Sequence, residues 1–329
     1  MKLPLSFACG LYDRMLPLYT GEVRPAGIDL NFIAIDDARA VFDRMAGGLE
    51  FDACEFSSSE FVQRFANKAC PFVAIPVFAS RVFRMGFIAV NRRSGIRTPK
   101  DLEGRRVGVP LYTMTAAIFI KGLLQHEFGV DLGKIRWLQG AMNTAGAHGS
   151  PTVLPLLKKV SIENNESGRS LGQLLAAGEI DATLGAQLPD EIRTNPDVVR
   201  LFPNYVEVDT DIYRRKKIYP IMHLVAIRKD VYEKHPFVAT SLYDAFVESK
   251  KIALRRMFNL GALRYMTPFL MREVDDIYRI FDGDASPDPW PYGIEPNRPT
   301  LEALVAYLRD QGLIAAPVGV DDLFVPTYG

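Results

Sequence analysis

The sequence predicts an α/β fold of two lobes that face each other across a cleft, joined by two crossing strands. Short apolar runs with strand alternation recur between stretches of helical spacing, the pattern of helices packed on sheets. A segment also echoes itself: Met45-Ala-Gly-Gly-Leu-Glu-Phe-Asp-Ala-Cys54 recurs, with a one-residue gap, as Leu175-Ala-Ala-Gly-Glu-Ile-Asp-Ala-Thr183. Two halves built alike place residues 55–59 on one wall of the cleft and 185–188 on the other, a chance match being the alternative. The 329 residues suffice for two cores, and the implied boundaries are 1–90 with 220–329 for lobe one and 91–219 for lobe two.

Leu3, Leu5 and Phe7 alternate as a first strand ending at Gly10, so Asp13 and Arg14 follow a strand's carboxyl end, where open α/β sheets place ligands. Leu30, Phe32 and Ala34 alternate as a second strand. Asp36 or Asp37 then caps a helix whose Val41, Phe42 and Met45 face the core, and Gly47-Gly48 ends it. A third strand, residues 51–56, runs into Ser57-Ser58-Ser59, a helix start whose N–H groups and hydroxyls suit a carboxylate, although serines cap helices everywhere. Residues 72–76 form a short strand, and Arg81 and Arg84 precede a buried strand over 87–90 that crosses into lobe two. These two arginines are either solvated surface or a paired clamp for a carboxylate.

Thr98, Pro99 and Gly104 delimit one short helix in lobe two. The strand over 106–110 delivers Tyr112, Thr113 and Thr115 to the start of a long helix stopped by Gly129, a second candidate anion cradle. Residues 139–155 read as an irregular excursion, a lid or a loop. The chain returns through residues 214–227, a basic approach to an apolar strand with His223 in its middle. That histidine is either a proton carrier at the cleft floor or a core side chain satisfied by a backbone carbonyl. Helices follow over 236–257, around 260–270 and 274–281, and over 301–311. A turn-rich segment, 284–293, intervenes before the last of these, and its Trp290 and Tyr292 pin the loop to the core or line an aromatic pocket.

Equal numbers of basic and acidic residues, 39 each, remove any global field for nucleic acid or an acidic membrane, and no stretch approaches the length of a membrane span. Cys9, Cys54 and Cys70 form no C-x-x-C pair and lie in apolar runs, as buried free thiols of a reducing compartment do. The start superficially suggests lipoprotein cleavage at Cys9 but is too short for an export signal, and Met1 leads straight into strand one, so the expected location is cytoplasmic. His126, His148, His223 and His235 show no ligand spacing, so a metal is not demanded, while one held by Glu55 and His223 stays open. The sequence leaves self-association into a homo-oligomer open.

Several segments together resemble the 4,5-dihydroxyphthalate decarboxylase family, whose members look like type II periplasmic binding proteins adapted in part to catalysis. They are Pro71-Phe-Val-Ala-Ile-Pro-Val-Phe78 with Ser80-Arg81, Gly95-Ile-Arg-x-Pro-Lys-Asp-Leu-x-Gly104, Val107-Gly-Val-Pro110, Met114-Thr-Ala116, Pro220-Ile-Met-His223, residues 232–250, Trp290-Pro-Tyr-Gly293 and Glu295-Pro-Asn-Arg298. The run from Gly95 to Val109 is shared with transporter-type binding proteins and speaks for the fold; Pro-Ile-Met-His and Trp-Pro-Tyr-Gly lean toward the decarboxylase branch. The resemblance implies loss of carbon dioxide from 4,5-dihydroxyphthalate, a small aromatic dicarboxylate, without a cofactor. Such a reaction needs a proton carrier, first His223 with Glu55 or Tyr219 as counterpart, and an anchor for the retained carboxylate. Arg81 and Arg84 fit the anchoring role together with Ser57, Ser58, Tyr112, Thr113 and Thr115, with Asp13 and Arg14 as weaker candidates. The rival is a non-catalytic solute-binding protein for a small aromatic or dicarboxylic acid.

Overall fold

The computed structural model describes residues 2–152, 154–281 and 287–327. Two sheets organise the chain. The first runs in the order β2 (Ile28–Ala34), β1 (Leu3–Cys9), β3 (Ala53–Ser57), β11 (Ile221–Arg228), β4 (Phe72–Arg81). The second runs β10 (Val198–Arg200), β5 (Ile88–Asn91), β9 (Ala182–Leu184), β6 (Arg106–Val109), β7 (Arg136–Gln139), β8 (Ile162–Asn164). The chain passes between sheets twice, from β4 to β5 and from β10 through a helix to β11. β1 pairs in parallel with β2 and β3, whereas the returning β11 is antiparallel to both β3 and β4. A strand inserted from the far sheet has to arrive in the opposite sense, which puts its beginning beside the end of β3.

Strands β3, β4 and β11 of sheet one bury both faces, as their near-continuous apolar runs require. Around it pack α1 (Leu16–Tyr19), α2 (Ala38–Gly48) and α3 (Ser58–Ala66). The second sheet carries α4 (Thr115–Phe128), α5 (Leu171–Ala177) and α6 (Tyr205–Lys216). After β11 come α7 (Lys229–Lys234), the long α8 (Phe237–Phe258), α9 (Leu270–Ile280) and α10 (Arg298–Asp310). One large core cluster runs through both sheets, and a smaller one lies under β5, β7, β9 and β10 around Leu171, Leu174 and Ile180. Among the described residues, no helix is long and apolar enough to cross a membrane.

Local chemistry explains most element ends. Asp37, rather than Asp36, caps α2 by accepting from Arg39 N, Ser57 caps α3, and Gly129 and Gly178 end α4 and α5 in the left-handed region. The structure departs from the sequence pattern at several points. Residues 72–81 make one ten-residue strand, its ladder with β11 skipping Pro76 and resuming at Ser80 and Arg81. Pro99–Leu102 is a 3-10 turn, closed by a Thr98–Asp101 capping box, where a helix is expected. Arg214, Arg215 and Lys216 form the last turn of α6, where cations complement the helix dipole, and do not open the strand. Of the helix expected around 260–270 only the turn Leu260–Ala262 forms. In the turn-rich segment, Asp284, Ala285 and Ser286 lie outside the described residues.

Candidate active site

Register builds the site. His223 sits opposite Ser57 on β3, and Val225 opposite Glu55, so Glu55, Ser57, His223 and Val225 share one face and Glu55 is the diagonal neighbour of His223. Against β4 the pairing of β11 shifts on both sides of His223, a bulge that frees this residue from strict ladder geometry. The result is a bond of 2.5 Å between His223 Nδ1 and Glu55 Oε1. The Glu55 side chain is 0% exposed and that of His223 20%. The carboxylate is therefore sealed behind the ring, and only the imidazole reaches solvent.

Four groups surround Glu55. Tyr12 Oη donates to Oε1 at 2.8 Å, Gly10 N donates to Oε2 at 3.1 Å, and the Cys9 thiol lies 3.3 Å from Oε2. Gly10 has a steric task here, since a Cβ would lie 2.8 Å from Cζ of Tyr12 and block the ring's fold-back. Burial alone pushes the Glu55 carboxyl up, but the His223 charge and the bonds from His223, Gly10 and Tyr12 outweigh it and hold the group at about 2. Burial and the adjacent carboxylate raise the Tyr12 hydroxyl and the Cys9 thiol, so both remain donors. Glu55 is thus a fixed anion that orients the proton at Nδ1, so Nε2 is the His223 nitrogen it leaves uncommitted.

His223 lines a cavity of about 300 Å³ between the sheets, together with Ser57 from the same side and Met114, Thr115, Ala186 and Gln187 from the other. The α3 and α4 helix starts meet at Thr115, whose hydroxyl lies 3.0 Å from Ser57 Oγ and accepts from Ser59 N, while Ser59 Oγ donates to Thr113 O. No side chain caps α4, so its first N–H groups, at Thr115 and Ala116 on the cavity wall, stand ready for an anion. Arg84 also lines the cavity, its donors directed at Met222 Sδ and at Ala186 O, 3.1 and 3.3 Å away. Burial holds its guanidinium down to about 10, still charged at neutral pH. Its turn rests on Asp209 of α6, which accepts from Met85 N at 3.2 Å. Burial pushes the Asp209 carboxyl up to about 7, the two backbone bonds and the Arg84 charge only partly opposing this.

The remaining sequence candidates divide. Arg81 does not join Arg84: its guanidinium turns away to Asn297 Oδ1 and Tyr219 O and stacks over the Tyr219 ring. Asp13, Arg14 and Tyr219 line a separate cavity. Tyr112 lines a third, where its carbonyl accepts from the buried Lys121. Ser58 is buried with no hydrogen-bond partner for its hydroxyl. Residues that the sequence reading passed over stand on the cavity wall instead. Arg39 from α2 pairs with Asp43 at 2.6 Å yet leaves its Nε without a partner, Phe42 meets the His223 ring edge-on at 4.8 Å, and His148 comes from the excursion after β7. Burial and the Arg39 charge hold the His148 imidazole below its ordinary value. The excursion is tied to sheet one's helices by Arg64 Nη2 donating to Thr152 O and Ser150 N donating to Asp43. Tyr12 had a signal, lying in the loop after β1; Arg39 and His148 had none, because tertiary packing alone brings them in. Among the described residues no three His, Cys, Asp or Glu side chains gather as a metal site.

No protein-family model matches the chain. It is 34% identical over 331 residues to a 4,5-dihydroxyphthalate decarboxylase of Comamonas testosteroni, covering 99% of this chain and 97% of that one. A second protein of that description, from Pseudomonas putida, is 34% identical over 214 residues, 65% of this chain and 82% of that one. Among solved structures, the periplasmic aliphatic sulphonate binding protein SsuA of Escherichia coli superposes with a TM-score of 0.56 at 12% identity, covering 98% of each chain. The desulfurization enzyme DSZB superposes with a TM-score of 0.51 at 14% identity, covering 99% of this chain and 97% of that one. Such low identities establish the fold alone, which is that of periplasmic binding proteins.

Proposed function

The chain belongs to the 4,5-dihydroxyphthalate decarboxylase family, and from that premise we propose that it is a carboxy-lyase that converts 4,5-dihydroxyphthalate to 3,4-dihydroxybenzoate and carbon dioxide in aromatic catabolism. The carboxyl that leaves is para to a hydroxyl. Withdrawal of that phenolic proton pushes electrons into the ring, the ipso carbon takes a proton, and the C–C bond electrons return to the ring as carbon dioxide departs. His223 delivers the proton from Nε2 while Glu55 balances the charge on the imidazole. Asp36 and Asp37, the carboxylates on the cavity wall, take up the phenolic proton. The retained carboxylate lies against Arg84 and the open N–H groups of α4, with the Arg39 guanidinium on the same cavity wall.

The observation that carries this reading is the buried carboxylate behind a partly exposed imidazole that lines the cavity. A pure solute-binding protein needs the arginines and the helix start but no proton carrier, so the pair favours turnover over binding alone. Strand membership supports the two-lobe division at residues 90 and 220, apart from Asn91 at the end of β5. Buried free thiols at Cys9 and Cys54 fit a cytoplasmic enzyme, and exposed Leu263, Met266, Phe269 and Met271 fit a homo-oligomer.

The test is incubation of purified protein with 4,5-dihydroxyphthalate, following carbon dioxide and product absorbance. Phthalate, which lacks the hydroxyl that drives the electron push, is expected to be left unchanged. Absence of carbon dioxide with tight binding of the dihydroxy compound would return the protein to the solute-binding class.

A further inference from the structure

Asp13, Arg14 and Tyr219 do not serve the His223 cavity; they meet in a second one, of about 200 Å³. Its walls are three aromatic rings, Tyr219, Phe281 and Trp290, closed by Leu254 and Met257 from α8. The rings pack on one another, Tyr219 and Phe281 5.3 Å apart and tilted and Trp290 edge-on to Tyr219 at 6.3 Å, so they offer one continuous aromatic wall against which a planar guest can lie. Dry apolar cavities near this size accept a single benzene ring. Trp290 is held by its own donor, Nε1 to Phe78 O at 2.8 Å, so its ring is a fixed wall.

Two cations border the hollow. Arg14 is sandwiched between the Tyr12 and Trp290 rings at 4.4 and 4.1 Å and pairs with Asp13 at 3.2 Å. Lys250 pairs with Asp288 and donates to Trp290 O. Each of these two cations already has one acid, and the lining donor left over is the third proton of Lys250, which suits one carboxylate. The Arg14–Tyr12 stack also connects this hollow to the catalytic pair, because the Tyr12 hydroxyl shares Glu55 Oε1 with His223.

We infer that the Tyr219–Phe281–Trp290 cavity is a second binding site, taking a planar aromatic monocarboxylate. The class includes the product of the reaction proposed above, an identity that rests on that reading; the site does not. The chain has two tryptophans, and Trp137→Phe leaves Trp290 as the sole indole reporter. Titration of that full-length variant with benzoate is expected to give a saturable change in Trp290 emission, and acetate none. Adding Ala253→Phe, which fills the hollow from α8, abolishes the change, and Met257→Phe serves if the first does not fold. Adding Arg84→Ala, in the other cavity, leaves the change intact. No saturable change with benzoate, or a change that survives both filling variants and disappears with Arg84→Ala, overturns the inference. Failure of decarboxylation assays would leave these binding results untouched, so the two readings fall separately.

Discussion

Glu55 and Asp209 are both buried carboxylates, one behind His223 and one beneath the turn of Arg84, two residues that line the same cavity, and their surroundings drive them in opposite directions. Glu55 receives an imidazole, a phenol and a backbone N–H and is held at about 2. Asp209 receives backbone donors at Met85 and Arg84 and is pushed by burial up to about 7. The Arg84 guanidinium, the nearest cation, spends its donors on Met222 and Ala186. Burial is common to the two, so the difference lies in whether a charged donor points straight at the oxygen. A fixed anion suits the task of holding a proton carrier, whereas a carboxyl that titrates near neutrality under Arg84 adds little permanent charge to the anchor.

The comparison breaks most visibly at its cation. His223→Ala is expected to lower turnover about 10²–10⁴-fold, measured as carbon dioxide release, with the far-ultraviolet spectrum unchanged. Activity equal to wild type would remove His223 from the chemistry. The same variant leaves Glu55 buried beside only neutral donors, which should cost about 3 kcal/mol of unfolding free energy in denaturant titrations.

Arg84→Ala and Arg81→Ala test which arginine meets substrate. The first should raise KM about 10–100-fold, the equivalent of one charged hydrogen bond. The second should leave KM near wild type but lower stability by about 2 kcal/mol, since it strips Asn297 and the Tyr219 carbonyl of a buried partner. Equal KM effects would mean that the two guanidiniums act together after all.

The carboxylates differ in pH response as well. Glu55 has a folded-state value below its unfolded one, so its contribution is fully present above about 4.5 and lost as pH falls toward about 2. Acid unfolding of Glu55→Gln should therefore lack a component that the native protein shows in that window. Asp209 has the opposite sign. Its raised value costs stability as pH rises from 3.8 toward about 7. Asp209→Asn is expected to be more stable than the native chain by about 1 kcal/mol at pH 8, and not at pH 4. A constant difference across that range would show that Asp209 titrates as an ordinary exposed acid.

Periodicity carried the reading of β1, β2, α2 and α8, because an apolar face repeats every two or 3.6 residues whatever it packs against. The helices expected at Pro99–Leu102, from its cap residues, and around residue 260 do not form, because short-range bonds settle there into 3-10 turns. The site was legible in part for the same reason. His223, Glu55 and Ser57 lie in or at the ends of strands with clear patterns, so their approach to a cleft follows from topology. The pairing of Arg81 with Arg84 was not legible, since spacing says nothing about which way two guanidiniums turn at the end of a strand.

From its residues alone the chain determined its two-sheet α/β class, its family and the identity of a histidine that returns on the inserted strand. Only the folded chain decided that this ring is backed by Glu55 and Tyr12, that Arg39 and His148 reach the cavity, and that Arg81, Arg14 and Tyr219 serve elsewhere. The physical reason is range. Propensity and alternation act over a few neighbours, whereas the contacts of Glu55 with Gly10 and His223 span 45 and 168 positions and exist only once the strands have taken their register.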